Sequence, residues 1–294
     1  MLKTLRWRRW YINVYVIVGA LLALHLDAGA TLDIPRLVFV LVAVCVLSSA
    51  NYALNEALDA QADAHHPEKK NRSIPMGAVN RSAIVLVAVI LYLVGAAMIV
   101  LTQAYLLVLA YSCLLLSGLA YNIPPIRLKD VAYADFILEA VNSPIRLLIG
   151  WFTVSTSVFP ASIFVAVWAF TIFLMAAKRF AEIRFIGDYE RAVLYRKSFR
   201  FYDERNLLLA MVGAVSAFMF MLGVLVVRYE KNLIISMPLF IVFIVWLFVI
   251  AYQKQSFIQN PERVLSNKYF LLFLILLIGI VIGLGLYPRN IVNF

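Results

Sequence analysis

Charge is scarce in this sequence: Asp, Glu, Lys and Arg make up 14% of its 294 residues, against 64% that are hydrophobic. A water-soluble domain of this size cannot bury that much apolar surface in one core, so a soluble globular protein is excluded. With a mean hydropathy of +0.90, the implied solvent is lipid. Cysteine is nearly absent. Cys45 and Cys113 stand in apolar runs without CxxC spacing, which excludes a zinc ribbon and gives no reason to expect a disulfide. The three histidines, His25, His65 and His66, have no zinc-ligand spacing either. No internal repeat stands out, and the whole of 1–294 reads as a single integral-membrane domain.

What the chain does have is a series of apolar stretches near bilayer length. Nine run approximately over 11–26, 36–54, 83–102, 104–121, 133–153, 158–177, 207–227, 233–252 and 269–287. The third and fourth are separated only by Thr102 and Gln103, and are expected to be two helices joined by a tight turn. Lys3, Arg6, Arg8 and Arg9 precede the first stretch, but no small-residue cleavage site follows, so this end reads as a cytoplasmic flank and not a signal peptide.

The basic residues test the count. With the N-terminus inside, cytoplasmic segments hold 21 of the 26 Lys and Arg, the outer ones hold Arg36, Arg228, Lys231 and Arg289, and Arg146 lies within a span. That bias predicts an outside C-terminus. It also accounts for most of the net charge of +10 and leaves nucleic-acid binding without support. The two long, charge-dense cytoplasmic segments, 55–82 and 178–206, are the candidate cap over a functional site.

Four polar constellations stand out. Asn55, Asp59 and Asp63 fall at i, i+4 and i+8 on one helical face. Like charges in a column need a cation to offset them, and magnesium suits two carboxylates that share it with substrate phosphates. A solvated helix end is the alternative, but the apolar neighbours Ala57, Leu58, Ala60 and Ala62 leave the acids as one polar stripe, which favours a site. Lys69, Lys70 and Arg72 follow in a loop punctuated by Pro and Gly, as cations for a polyphosphate or as topology signals. The third constellation runs from Lys178-Arg179-Phe-Ala-Glu182 through Arg184, Asp188, Arg191, Arg196, Lys197, Arg200, Tyr202 and Asp203. Its excess of cations suits an anionic substrate, or lipid head groups. The fourth is a stripe on the fifth span, Asp135, Glu139, Asn142 and Arg146, with Lys129 and Asp130 just before it. Ionisable groups at such depth face a bundle interior or a watery cavity. Glu139 and Arg146 could form a structural ion pair.

Nine spans with N-x-x-x-D-x-x-x-D on the second resemble the UbiA superfamily of membrane prenyl-transferring enzymes. The resemblance covers nearly the whole chain. It implies an all-α membrane protein whose nine transmembrane helices bundle around a central cavity, beneath cytoplasmic cap loops. It further implies that Asn55, Asp59 and Asp63 bind a diphosphate through magnesium. Glu56 replaces the Asp often found beside the Asn, while His66-Pro67, Lys69, Arg72 and Gly77 fit the loop that follows. Ordinary members carry a second Asp pair. This chain instead has Lys178-Arg179-x-x-Glu182, then Arg196-Lys197-Ser198 with Tyr202. That pattern is similar to the decaprenyl-phosphate phosphoribosyltransferase branch, which makes a lipid-linked cell-wall precursor. Tyr121-Asn-Ile-Pro-Pro-Ile-Arg-Leu-Lys129 with Glu139-Ala-Val-Asn-Ser-Pro-Ile-Arg146 looks more like other UbiA-type enzymes.

The expected activity is therefore magnesium-dependent transfer of a 5-phosphoribosyl group from phosphoribosyl pyrophosphate to a polyprenyl phosphate, in a prokaryotic plasma membrane. Asn55, Asp59 and Asp63 are the expected catalytic and metal-binding residues. Substrate contacts are expected from Lys69, Arg72, Lys129, Arg146, Lys178, Arg179, Glu182, Asp188, Lys197 and Tyr202. Two alternatives stay open. One is transfer from a prenyl diphosphate to an aromatic or other small acceptor, for which Asp188 and Asp203 are a poor second pair. The other is a transporter or scaffold, which the nearly empty outer loops disfavour.

Overall fold

In the computed structural model, residues 4–72, 74, 77, 79–253 and 267–287 are described. Part of the 55–82 segment, the expected C-terminal tail, and the basic residues Lys3, Lys254, Arg263 and Arg289 lie outside them. A 3-10 stretch over Trp7–Asn13 leads into α1 (Val14–Leu26), followed by α2 (Ile34–Asp63), α3 (Arg81–Val100), α4 (Tyr105–Asn122) and α5 (Ala134–Val154). Then come α6 (Ala161–Ile186), the short α7 (Tyr189–Tyr195), α8 (Glu204–Arg228), α9 (Met237–Ala251) and α10 (Lys268–Leu286). Among the described residues, nine helical segments are long and apolar enough to cross a membrane, matching the nine expected stretches. Cys45 and Cys113 are free thiols.

Local sequence explains where helices start and stop. Asp33 caps α2 by accepting from the Arg36 N–H (3.0 Å), with Pro35 in the first turn. Asn80 caps α3 through the Ser82 N–H (2.8 Å). The turn between α3 and α4 places Gln103 at φ 53, a left-handed conformation that no helix interior accommodates, so the two spans separate there. Two helices overrun their apolar stretches. α2 continues nine residues past the expected end at 54, because Asn55–Asp63 is built largely of strong helix formers. α6 likewise runs on to Ile186, so Lys178, Arg179 and Glu182 are helical residues and not loop residues.

The chain divides into two compact units, Met1–Pro160 with Asp188–Phe201, and Ala161–Gly187 with Tyr202–Phe294. In the first, α2 packs on α3 while α5 packs on both α1 and α4. The α1–α5 crossing depends on small residues: a Cβ on Gly19 would meet the Leu147 carbonyl, and one on Gly150 the Val16 carbonyl. Chain direction brings the C-terminal ends of α2 and α4, the N-terminal end of α5, and α7 to one polar region.

The second unit is built on α6 against α8, with aromatic rings filling the seams. Phe170 lies 5.1 Å from Phe218 and 6.0 Å from Phe243, and Phe173 lies 5.1 Å from Phe248. On α10 only Phe270 and Leu277 are buried. Its remaining apolar surface is what a lipid-facing helix presents.

Candidate active site

The column on α2 is flanked by cations delivered from the segment after α4. Asp59 Oδ1 accepts from Lys129 Nζ (2.5 Å) and from Arg127 Nη2 (2.9 Å). Arg127 also donates from Nε to Asp130 Oδ2 (3.1 Å). One turn above, Asn55 Nδ2 donates to Asn122 Oδ1 (2.7 Å), which Lys129 Nζ also approaches (3.2 Å). Asn122 is fixed in turn by its bond to the Gly118 carbonyl (2.9 Å). One turn below, buried Asp63 pairs with Arg72. Burial pushes the Lys129 ammonium down to about 8, against the opposing pull of Asp59. Charges this close in a partly buried setting interact far more strongly than surface pairs.

Around this centre the 188–201 segment is anchored to the rest of the first unit by several contacts. Arg191 Nε donates to the His65 carbonyl (2.6 Å). Tyr195 bonds Lys69 and meets the His66 ring edge-on at 4.7 Å. Arg196 Nη1 reaches the fully buried Asp135 (3.1 Å) and the Tyr121 hydroxyl (3.2 Å). Ser198 Oγ donates to the same Asp135 oxygen (3.2 Å), and Tyr121 donates to Glu139 Oε2 (3.0 Å). Lys197 is exposed and stands 3.6 Å from Asp130.

Thus the structure brings Asn55, Asp59, Asp63, Arg72 and Lys129 together, with Lys69 and Lys197 on neighbouring contacts. Arg146 is occupied elsewhere: it donates to Asn13 Oδ1 (2.9 Å) and to the Asn142 carbonyl (3.0 Å), instead of pairing with Glu139. Asp188 serves as the N-cap of α7, accepting from the Arg191 N–H (3.1 Å), and Asp203 caps α8 through the Asn206 N–H (2.6 Å). Within the second unit, Arg179 is fully buried 3.6 Å from Glu182, Lys178 is half-buried, and Tyr202 is buried. Arg127 was not among the expected site residues; it stood within the Tyr121–Lys129 stretch and sits at φ 31 in a left-handed turn. Asn122 was not among them either; its one visible signal was an amide just before the Pro124-Pro125 break.

The sequence matches the UbiA prenyltransferase family over residues 16–275. The chain belongs to this family. As a UbiA-family member it is a membrane transferase. It is similar to the decaprenyl-phosphate phosphoribosyltransferase of Mycobacterium tuberculosis, 30% identical over 215 residues that span 70% of this chain and 67% of that protein. It is 26% identical to the protein of the same name from Mycolicibacterium smegmatis, over 63% of this chain and 57% of that protein. The fold is shared with a UbiA homologue from Archaeoglobus fulgidus solved with GPP and Mg2+, at a TM-score of 0.71, 16% identity, and coverage of 97% and 98% of the two chains. A UbiA homologue from Aeropyrum pernix aligns at a TM-score of 0.64 and 18% identity, over 93% of this chain and 95% of that one.

Among the described residues, no group of three or more His, Cys, Asp or Glu side chains could hold a metal ion by itself. The UbiA column does offer a hard cation an all-oxygen set. The described cations go to Asp59 Oδ1 and Asp63 Oδ2, which leaves one oxygen of each carboxylate, and Asn55 donates through its nitrogen, which leaves its carbonyl oxygen. Magnesium typically takes one or two carboxylates and completes its shell with water and substrate phosphate, so this set fits it.

Proposed function

We propose that this UbiA-family transferase moves a 5-phosphoribosyl group from phosphoribosyl pyrophosphate to a polyprenyl phosphate, releasing pyrophosphate, at a site on the cytoplasmic side of the membrane. The observation that carries the reading is the crowd of cations on the acid column. Asp59 and Asp63 are met by Arg127, Lys129 and Arg72, a surplus of positive charge suited to a donor bearing a pyrophosphate and a further phosphate. The similarity to the mycobacterial enzymes supports the same donor and acceptor class.

In this mechanism a lipid phosphate oxygen attacks the anomeric carbon of ribose, and the bond from that carbon to the pyrophosphate breaks. The lipid phosphate is anionic at neutral pH, so no general base is needed. Asn55, Asp59 and Asp63 would hold magnesium, whose contribution is to offset charge developing on the leaving pyrophosphate. Arg127, Lys129, Arg72 and Lys69 grip donor oxygens and fix their orientation. On the strength of their sequence pattern, Lys178, Arg179 and Lys197 are assigned to the lipid phosphate or the donor's 5-phosphate, Glu182 to orienting those cations or to a ribose hydroxyl, and Tyr202 to a further substrate contact.

A second reading keeps the fold and takes a prenyl diphosphate as donor. It is favoured by the Tyr121–Lys129 stretch and by the Archaeoglobus homologues solved with GPP or DMAPP and Mg2+. The test offers purified protein, magnesium and a short polyprenyl phosphate to labelled phosphoribosyl pyrophosphate, and follows label into the lipid extract. Magnesium-dependent labelled lipid is the expected result. Unlabelled lipid from folded protein overturns the phosphoribosyl reading and turns the search to prenyl diphosphates.

A further inference from the structure

One corner beside α2 has no part in the mechanism above. Followed backward, the N-terminal arm meets successive turns of α2. Asn13 donates to Cys45 Sγ (3.2 Å) and accepts from Ser48 Oγ (3.2 Å), and Trp10 Nε1 donates to Ser49 Oγ (3.0 Å). The guanidinium groups of Arg9 and Arg6 lie 6.0 and 5.5 Å from the Tyr52 ring. Arg6 Nη2 then reaches Glu56 Oε2 at 3.4 Å. Positions 45, 49, 52 and 56 follow one face of a helix, so the arm runs antiparallel along α2 and ends beside the residue next to Asn55.

In the Arg6–Glu56 pair, Glu56 keeps an unsatisfied acceptor and Arg6 has donors to spare. Glu56 is 3% exposed; Oε2 takes one long contact, while Oε1 is buried and meets no donor among the described residues. Buried carboxylate oxygens normally have partners, and an orphan acceptor inside a protein is expensive. Arg6 is the converse. Its guanidinium carries five N–H donors, and among the described residues Glu56 is its one hydrogen-bonding acceptor. Burial, then Arg72 and Arg9, push the Arg6 pKa down to about 10, so an added anion would relieve the local excess of positive charge. Its backbone is left-handed (φ 46), a conformation that a non-glycine residue holds where its surroundings require it.

We infer that this corner is a subsite for a sugar phosphate, in which Arg6 takes phosphate oxygens and Glu56 Oε1 accepts a sugar hydroxyl. The inference rests on the phosphoribosyl reading for the identity of the sugar. The pairing of open donors with one buried open acceptor suits a ligand that carries both a phosphate and a hydroxyl. A prenyl diphosphate has no hydroxyl to give, and leaves Glu56 as it stands. Sites built to accept a substrate hydroxyl discriminate strongly against analogues that lack it. Glu56 is therefore a specificity residue, three positions from Asp59 on the same helix, and its glutamate marks a departure from the Asp more often found at this position of the motif.

The test titrates ribose 5-phosphate into the full chain in detergent by calorimetry, with inorganic phosphate as a second probe and turnover of phosphoribosyl pyrophosphate measured alongside. Wild-type protein binds ribose 5-phosphate more tightly than phosphate. Arg6→Met weakens both about tenfold or more, and Arg6→Lys recovers part of the loss. Glu56→Met leaves phosphate binding unchanged or tighter, because a competing carboxylate is gone, yet weakens ribose 5-phosphate about tenfold; Glu56→Gln falls between. Opposite effects on the two probes cannot come from a loss of folding. If wild-type protein does not bind ribose 5-phosphate, or binds it equally in all variants, the subsite is overturned. Unchanged KM for phosphoribosyl pyrophosphate in Arg6→Met and Glu56→Met also overturns it, while leaving the phosphoribosyl reading in place. Arg6-dependent binding of ribose 5-phosphate without transfer sustains the subsite and overturns that reading.

Discussion

Lys129 Nζ lies 2.5 Å from Asp59 Oδ1, although the two residues are 70 positions apart in the chain. The contact ties the segment after α4 to the acid column and makes Lys129 part of the same electrostatic unit as Asn55 and Asn122. Replacing it with Met leaves Arg127 as the one cation hydrogen-bonded to Asp59 among the described residues. Removing one partner of a buried pair typically costs about 3–5 kcal/mol; Asp59 keeps some exposure and a second cation, so about 2 kcal/mol is expected here. Lys129→Met should lower the thermal midpoint in detergent and raise the donor KM, and Lys129→Arg should restore most of the midpoint. An unchanged midpoint and KM would show that the contact does no more than decorate the loop.

Asp59→Asn separates the metal role from the fold. An amide keeps the volume and can still accept from Lys129, but it is a much poorer ligand for a hard cation. Loss of one electrostatic element that acts in the transition state typically lowers kcat about 10²–10³-fold. The variant should elute as folded protein and lose magnesium-dependent turnover on that scale. Retained turnover with the same magnesium dependence sinks the assignment of Asp59 as a ligand.

The spans were legible because each follows from a local rule. Apolar length fixes a crossing, and Thr102–Gln103 marks the break between α3 and α4. The column Asn55, Asp59, Asp63 was legible for the same reason, since one helix carries all three at a period of four. Arg127 and Asn122 were not, because their roles depend on the end of α4 folding back towards α2, which no local pattern encodes. Arg146 was expected as a substrate contact and is held by Asn13 in the structure. Its stripe spacing pointed to the site, but the α1–α5 packing supplies Asn13 as a nearer acceptor. Asp188, expected as a substrate contact, caps α7 in the structure, a use that short polar side chains find wherever a helix begins.

Asp135 is fully buried and accepts from both Arg196 and Ser198, so it anchors the 188–201 segment from below. Asp135→Asn removes the charge that holds Arg196 while keeping a similar shape. Amide hydrogen exchange across 188–201 should then speed by about tenfold or more, since a charge-assisted hydrogen bond contributes about 1.5–3 kcal/mol. Exchange in α3 should stay unchanged and serves as the internal control. Equal protection in the two proteins would mean that the Arg191 and Tyr195 contacts hold the segment without Asp135.

The α1–α5 crossing gives a prediction about the fold alone. Gly150 has the Val16 carbonyl where a Cβ would project, and Gly19 meets Leu147 in the reciprocal arrangement. The obstruction is backbone, which cannot swing aside as a side chain can. Gly150→Ala should therefore push the helices apart and cost about 1–3 kcal/mol of stability, like other overpacking changes, read as a lower thermal midpoint and a smaller folded yield. Gly279→Ala on α10, where a Cβ has open space around it, should leave both unchanged. Equal behaviour of the two variants would rule out close packing at Gly150.

The second motif is the assignment that rests most on pattern, and a paired substitution tests it. Lys178 lies on α6 next to the buried Arg179–Glu182 pair, whereas Lys231 follows the far end of α8 in a segment expected on the outside. Both are lysines near a span end, so head-group anchoring treats them alike. A donor-binding role does not. Lys178→Ala should raise the KM for phosphoribosyl pyrophosphate about tenfold or more, the scale of one lost charge-assisted contact. Lys231→Ala should leave KM within about twofold, as surface substitutions away from a site usually do. Equal shifts would reduce Lys178 to a topology signal and move the remaining phosphate onto other cations, Arg6 first among them.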